Sequence, residues 1–376
     1  MKIAIIHDYL NQYGGGERVV EVLHEIYPEA PVFTSIFDKA KMPESFAKMN
    51  IQSSFLQKIP GAGKYAKFLL PLYPCAFKKF KLENYDVILS SSSSFAKGIR
   101  KKDALHICYC YTPTRFLWRY KEYVEKENFS KAVLLVLPFL IALLKRGDLK
   151  AAAGVDRFIA ISQAVARRIK DVYHRESVII YPPVNTGYYS VSGSEGSYYL
   201  VVSRLRGYKR IDLAVAAFTS LKLPLVIAGS GDMESELRKK AGPNIKFAGR
   251  LSDAELKELY KNCKAVIFPG EEDFGIVPLE AQAAGKPVIA FKSGGALDTI
   301  IDGKTGVFFE TQTVSSLSEA VSKLESITFN SEEIRKNALR FDKGIFKIKL
   351  KEYIEKSYTE YLKEKSKTKN IDKTSA

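Results

Sequence analysis

Short apolar runs recur along the chain, each closed by a turn-forming cluster and followed by a stretch whose apolar positions fall at helical spacing. In the second half the runs are Tyr199 to Val202, Leu223 to Ala228, Ile245 to Ala248, Ala265 to Phe268, Pro287 to Phe291 and Gly306 to Phe309. Strands alternating with helices in this way predict a parallel, doubly wound sheet. The first half alternates less cleanly. Lys2 to Ile6, Tyr85 to Leu89, His106 to Cys110, Arg157 to Ile161 and Val178 to Tyr181 read as strands. Glu17 to Tyr27, Val133 to Leu144 and Gln163 to Tyr173 read as helices, the last with Ser162 as its N-cap. The expected fold class is α/β, with two Rossmann-like doubly wound domains facing a cleft.

Pro182-Pro183-Val184 is a rigid break, and the Gly- and Ser-containing piece Ser190 to Ser197 reads as a linker. The expected division is 1–184 and 185–343, and a chain of 376 residues gives each part room for its own core. The closing segment 363–376, KEKSKTKNIDKTSA, is polar and charged and is expected to be disordered. The longest apolar run, Ala132 to Leu144, contains Pro138 and is too short to span a bilayer; it suits either packing between domains or a lipid interface. No signal peptide is expected, because the first strand begins at Lys2. Cys75, Cys108, Cys110 and Cys263 give no disulfide framework and are expected as buried thiols of a reducing compartment. These features predict a cytoplasmic protein whose membrane contact, if any, is peripheral.

Charge changes the picture. Of the net charge of +16, residues 1–185 supply +11, from 28 Lys and Arg against 17 Asp and Glu. The first half is therefore expected to meet something anionic: a membrane surface, a diphosphate or a nucleic acid. Lys58 to Lys81 carries six lysines, no acid, and a mix of Phe, Tyr and Leu. That composition suits anionic lipid headgroups and equally suits a solvated basic face. Pro60, Gly61, Gly63, Pro71 and Pro74 divide it into two short pieces. A nucleic-acid binder would interleave aromatics with Arg along one face and carry a recognisable module. Neither is present, so no nucleic-acid partner is expected.

Candidate chemistry concentrates in Phe268 to Pro287, FPGEEDFGIVPLEAQAAGKP. A strand ends in Pro269-Gly270, an acidic loop follows, and a helix can start near Ile276 with Pro278 tolerated in its first turn, to be stopped by Gly285 and Pro287. Glu272 then lies just before the helix and Glu280 just inside it, both beyond the carboxyl end of a strand, where open α/β sheets bind ligands. Unbonded amides at the helix start (Gly275, Ile276, Val277) suit a phosphate, and carboxylates suit sugar hydroxyls. Arg204 and Lys209, five apart in SRLRGYKRID after the first strand of this half, can straddle a diphosphate. Gly229 and Gly231, after the next strand, allow backbone to approach a phosphate or ribose closely.

The stretch from Glu272 to Val288, with Phe274-Gly275 between the two glutamates and Ala-x-Ala-x-Gly-x-Pro-Val behind them, resembles the Glu-x7-Glu motif of the family-4 (group 1) retaining glycosyltransferases, which have the GT-B fold. The resemblance implies that Glu272 meets the transferred sugar, Glu280 the nucleotide ribose, and Arg204 and Lys209 the donor diphosphate. It implies that Gly249-Arg250-Leu251 lines the base pocket, and that the last helix, at 344–362, crosses back onto the first domain. Gly15, Gly16 and Glu17 match the family's Gly-Gly-x-Glu after the first strand, a loop that faces the donor diphosphate and the acceptor. Tyr111-Thr-Pro-Thr-Arg115 resembles a His-Thr-Pro-x-Arg segment of the mannosyltransferase-like subgroup, with tyrosine in place of the histidine beside the sugar. Tyrosine can hydrogen-bond a hydroxyl but does not readily carry a proton near neutral pH. Arg115 can clamp an anionic oxygen of acceptor or donor.

The resemblance thus implies a retaining hexosyltransferase, with GDP-mannose as the expected donor and UDP-hexoses as the alternative. The expected acceptor is a lipid-linked glycan of surface-polysaccharide assembly, such as O-antigen, met at an anionic membrane. No metal or other cofactor is expected, since the leaving diphosphate is assigned to Arg204, Lys209 and the helix amides, and the chain has no Asp-x-Asp signature. A nucleotide-sugar epimerase on the same fold is a rival; it would need acid-base groups near the sugar, and the chain has only His7, His24, His106 and His174.

Overall fold

The computed structural model describes residues 1–62, 66–120, 131–191 and 196–374, so residues 63–65 of the lysine-rich stretch and 192–195 of the linker lie outside the described residues. The chain divides into two compact units, one of Met1–Tyr181 with Phe346–Ala376 and one of Pro182–Ile345.

Among the described residues, unit 1 carries a seven-stranded sheet: β1 (Ile3–His7), β2 (Val32–Thr34), β3 (Ile51–Ser53), β4 (Val87–Ser92), β5 (Leu105–Cys110), β6 (Arg157–Ala160) and β7 (Ser177–Ile179). Their order is β3-β2-β1-β4-β5-β6-β7 and every pairing is parallel, with Ile5 opposite both Val32 and Leu89. β2 and β3 have three residues each, too few for a periodic signal in the sequence.

Among the described residues, unit 2 carries a six-stranded parallel sheet in the order β10-β9-β8-β11-β12-β13. The strands are β8 (Tyr198–Val202), β9 (Leu225–Ala228), β10 (Ile245–Gly249), β11 (Cys263–Phe268), β12 (Val288–Phe291) and β13 (Gly306–Phe309). Alternate residues serve the two faces. Tyr199, Val201, Ile227 and Ile267 join the helices Ile211–Leu221 and Val314–Glu325 in one core. Leu200, Ala228, Val266 and Phe268 join Tyr260, Ala281 and Ala338 in the other. Burial on both faces is what makes these strands continuous apolar runs in the sequence.

Three local expectations change. Cys75 is exposed, because the helix Tyr73–Lys78 turns Tyr73, Ala76 and Phe77 inward and leaves Cys75 outside; Cys108, Cys110 and Cys263 are buried. The apolar run at 132–144 does not stop at Lys145 but belongs to one helix, Lys131–Ala153, with Pro138 inside it. The last helix runs from Lys343 to Thr374, past the residue where the sequence reading ends it. Residues 363–374 contain no glycine or proline to stop a helix, and Lys365 Nζ pairs with Asp103 Oδ1 at 2.9 Å. Among the described residues, no helix is long and apolar enough to cross a membrane.

Candidate functional site

In unit 2 the chain leaves β8 for β9 on one side and leaves β11 for β12 on the other, so the loops after β8 and β11 part at the carboxyl edge of the sheet. The Lys209 ammonium, at the end of the first loop, pairs with the Glu272 carboxylate in the second, their side chains 15% and 26% exposed. The loop after β12 joins them, since the Gly295 amide donates to the Glu272 carbonyl at 2.9 Å.

The helix after β11 is Ile276–Ala283, with Pro278 in its first turn. Its N-cap, Gly275, has φ 96°, a conformation that costs other residues about 1–2 kcal/mol. The first-turn amides have no carbonyl one turn back to bond, which leaves the helix start a donor surface for an anion. Glu280 lies one turn on, 8% exposed, and accepts a 2.8 Å hydrogen bond from the Tyr260 hydroxyl. Tyr260 is fully buried; burial first and the Glu280 charge second push its phenol well above the usual value, so it stays a donor. Phe274 is buried beside Phe341, with ring centroids 6.0 Å apart.

Arg204 is exposed at the start of the loop after β8. Gly229 has φ 132°, and a Cβ there would stand 1.8 Å from the Ser203 carbonyl, so only glycine fits. Its amide donates to the Gly249 carbonyl at 2.7 Å, and the Leu205 amide donates to the Ser230 carbonyl at 3.0 Å, which stitches the loops after β8 and β9 to each other and to the end of β10. Gly231 lies against the Leu205 carbonyl. Arg250 stands exposed at the end of β10, two strands from β8. The sequence reading missed Arg210, a left-handed residue with φ 55° that caps helix Ile211–Leu221. Its guanidinium donates to Gln312 at 3.1 Å, and Gln312 donates to the Pro269 carbonyl at 2.9 Å, tying the two loops that carry Lys209 and Glu272.

In unit 1 the corresponding parting lies between β1 and β4. The helix Gly15–Ile26 starts two residues before Glu17. The Tyr111 hydroxyl is 2.7 Å from Ser91 Oγ and donates to the Gly16 carbonyl at 3.1 Å. Burial pushes the Tyr111 phenol well above its usual value, and Glu17 and Asp8 add to this against the Ser91 hydrogen bond. His7 Nδ1 lies 3.0 Å from the same Ser91 Oγ, and its Nε2 is 3.8 Å from Glu17 Oε1. Gly16, Glu17 and Tyr111 are therefore together, joined by His7, which the sequence reading named only among the histidines open to a rival epimerase, and by Ser91, to which it gave no role.

Asp8 closes this edge. Its Oδ2 accepts from the Ser93 and Ser94 amides at 2.6 and 2.9 Å, and its Oδ1 from Phe95 and Ala96 at 2.8 and 2.7 Å. Beyond that loop, Lys97 and Asp148 form a buried ion pair at 2.7 Å, side chains 1% and 2% exposed. Asp148 also accepts from Thr114 at 2.7 Å, Trp118 at 2.8 Å and Tyr173 at 2.8 Å. Burial opposes both charges, but their attraction outweighs it, holding the Lys97 ammonium well above and the Asp148 carboxyl below their usual ranges. Arg115 begins the short helix Arg115–Trp118, so the segment that presents it is pinned from both ends by Asp148.

Residues 190–341 match the family described as glycosyl transferases group 1. The chain is 28% identical over 351 residues to the O-antigen chain mannosyltransferase C of Escherichia coli, covering 86% of this chain and 87% of that one. It is 26% identical over 225 residues to an uncharacterised glycosyltransferase of Methanocaldococcus jannaschii, covering 56% of this chain and 62% of that relative's length. In structure it is similar to Anabaena HepE in complex with UDP, with a TM-score of 0.71 at 19% identity, covering 95% of this chain and 100% of that one. The fold is GT-B. The match over residues 190–341 and the likeness to the E. coli mannosyltransferase over 86% of the chain support a group 1 glycosyltransferase.

Proposed function

We propose that the chain is a retaining glycosyltransferase that moves mannose from GDP-mannose onto a lipid-linked glycan in polysaccharide biosynthesis, working in the cytoplasm at the inner face of an anionic membrane. The observation that carries the reading is the Lys209 and Glu272 pair beside the helix start at Gly275, which sets cation, carboxylate and helix amides on one edge of the sheet.

In this reading Arg204, Lys209 and the amides of Gly275, Ile276 and Val277 take up the charge that grows on the departing diphosphate, an electrostatic role worth several kcal/mol per donor group. No metal is assigned to that task. Glu272 receives hydroxyls of the transferred sugar and Glu280 the ribose, with Tyr260 fixing its orientation. Gly229 and Gly231 give the phosphates access to backbone, Phe274 backs the loop, and Arg250 borders the base. Gly15, Gly16, Glu17 and Arg115 are assigned to the acceptor. Tyr111, whose phenol keeps its proton across the working range, orients a hydroxyl and transfers no proton. The acceptor oxygen bonds to the anomeric carbon on the face the diphosphate leaves, and the leaving phosphate oxygen takes the acceptor's proton.

The sugar and acceptor rest on the likeness to the E. coli mannosyltransferase, which spans 86% of the chain. A UDP-hexose is the second reading, favoured by the Anabaena structure, which holds UDP. Thermal unfolding of the parent and Glu280→Gln against GDP-mannose, GDP, UDP-glucose and UDP separates the two. The expected outcome is a rise with the GDP ligands alone, equivalent to about 2.7 kcal/mol at a hundredfold excess over Kd, that the variant loses. A rise with UDP ligands alone overturns the mannose assignment, and no rise with any nucleotide overturns the donor site. Lys209→Ala is expected to lower turnover by about 10²–10³-fold.

A further inference from the structure

The helix Lys131–Ala153 has two apolar faces, and one of them is exposed among the described residues. Ile141 and Leu144 are buried, with Leu137 and Leu140 beside them, on the core that Ala4, Ile6 and Ile88 build on one face of the unit 1 sheet. Opposite, Phe139 is 78% and Leu143 66% exposed, one turn apart, with Pro138 and Ala142 exposed beside them. Along the same face the apolar ridge gives way to Arg146 and Lys150, both exposed. The spacing Phe139, Leu143, Arg146, Lys150 keeps all four on one side of an α-helix. A second element seated on the same core has a similar outer side: Tyr73, Ala76 and Phe77 point inward, and Leu72, Lys78 and Lys79 are exposed.

Scattered exposed apolar residues need no explanation, but an aromatic and a leucine stacked on one face, continued by two cations, form a patch. The patch is small for a specific protein interface, which takes roughly 20–30 residues a side. A lipid interface asks for less, because an apolar helix face sinks only about 5–10 Å to the boundary of headgroups and acyl chains while Lys and Arg meet the phosphates. Charge decides the occupant, since residues 1–185 carry +11.

We propose that the face of helix Lys131–Ala153 running from Phe139 to Lys150 docks the protein on an anionic phospholipid bilayer. Phe139 and Leu143 enter the boundary between headgroups and acyl chains, and Arg146 and Lys150 lie at the headgroup phosphates. The inference deepens the membrane setting proposed above and rests on no assignment of donor or acceptor.

The test is sedimentation of the full chain, without nucleotide, with phosphatidylcholine vesicles prepared with and without phosphatidylglycerol. Binding is expected to require phosphatidylglycerol. It should weaken on the order of tenfold or more in Phe139→Ser/Leu143→Ser and roughly tenfold in Arg146→Gln/Lys150→Gln. Lys239→Gln/Lys246→Gln, which removes two exposed lysines of unit 2, should bind as the parent does. All the replaced side chains are exposed, so melting curves matching the parent's are expected, and the two docking variants are independent should either one unfold. Equal binding to both vesicle types, equal loss in the unit 2 variant, or no vesicle binding overturns the proposal. So does self-association abolished by Phe139→Ser/Leu143→Ser, which would make the ridge a contact between copies of the chain. Failure of the glycosyltransferase reading shows separately, in the nucleotide melts.

Discussion

His106 is fully buried in β5, with Nε2 2.8 Å from Ser90 Oγ. Burial first and the nearby Lys101 charge second push its pKa down to about 4, against the opposing pull of Asp156. A histidine depressed in the folded state is charged more readily in the unfolded chain, so its contribution to stability is complete above its unfolded pKa of about 6.5 and is lost as pH falls toward the folded value. Two to three units correspond to on the order of 3 kcal/mol. Denaturant titrations are expected to show stability dropping between about pH 6.5 and 4 in the parent and a flatter profile in His106→Gln. A parallel profile in the two proteins would place the proton uptake elsewhere. At this scale Glu272, Glu280 and Lys209 were legible in the sequence, because each belongs to a short contiguous motif in the strand-to-helix unit that follows β8 or β11. Tyr260, Arg210 and Gln312 were not: Tyr260 meets Glu280 from 20 residues away and Gln312 meets Arg210 from 102, separations over which sequence carries no pairing signal.

At the scale of elements, the network around Asp148 holds four segments together: the loop carrying Lys97, the Thr114 to Trp118 turn, the helix Lys131–Ala153 and the helix Gln163–Tyr173. Asp148→Asn keeps the shape but leaves the Lys97 charge buried without its counter-ion. A loss of about 3–5 kcal/mol in unfolding free energy is expected, with a smaller loss in the double variant Lys97→Met/Asp148→Asn, which removes both charges and keeps an amide oxygen for the Thr114, Trp118 and Tyr173 donors. If the double variant is the less stable of the two, the pair's attraction exceeds its desolvation cost. Sequence showed the helices and the YTPTRFLW segment separately; that one carboxylate pins them all is a consequence of folding.

For the whole molecule, the last helix belongs to unit 1 although the chain has passed through unit 2 before reaching it. Phe346, Leu350 and Ile354 are 2%, 0% and 0% exposed, Phe346 sets its ring 5.8 Å from Tyr109, and Lys347 pairs with Glu25 at 2.5 Å. Each apolar side chain contributes about 1.5–3 kcal/mol through burial. Truncation after Ile345 is therefore expected to remove several kcal/mol from unit 1 and little from unit 2. Hydrogen exchange should show lost protection in β1, β4 and β5 with β8 to β13 unchanged; equal loss in both sheets would mean that the units unfold as one.

The sequence alone determined the α/β class, most strands of both sheets and the motif from Glu272 to Glu280. Runs buried on both faces, N-caps and stop signals act over a few residues, and a linear pattern records them. The tertiary structure decided which loops meet at each parting of the strand order, that His7 and Ser91 stand beside Tyr111, that Asp148 gathers four segments, and that Cys75 and Phe139 face outward. These depend on contacts between residues far apart in the chain. Such contacts form only when the sheets have closed and the helix faces have been chosen by packing.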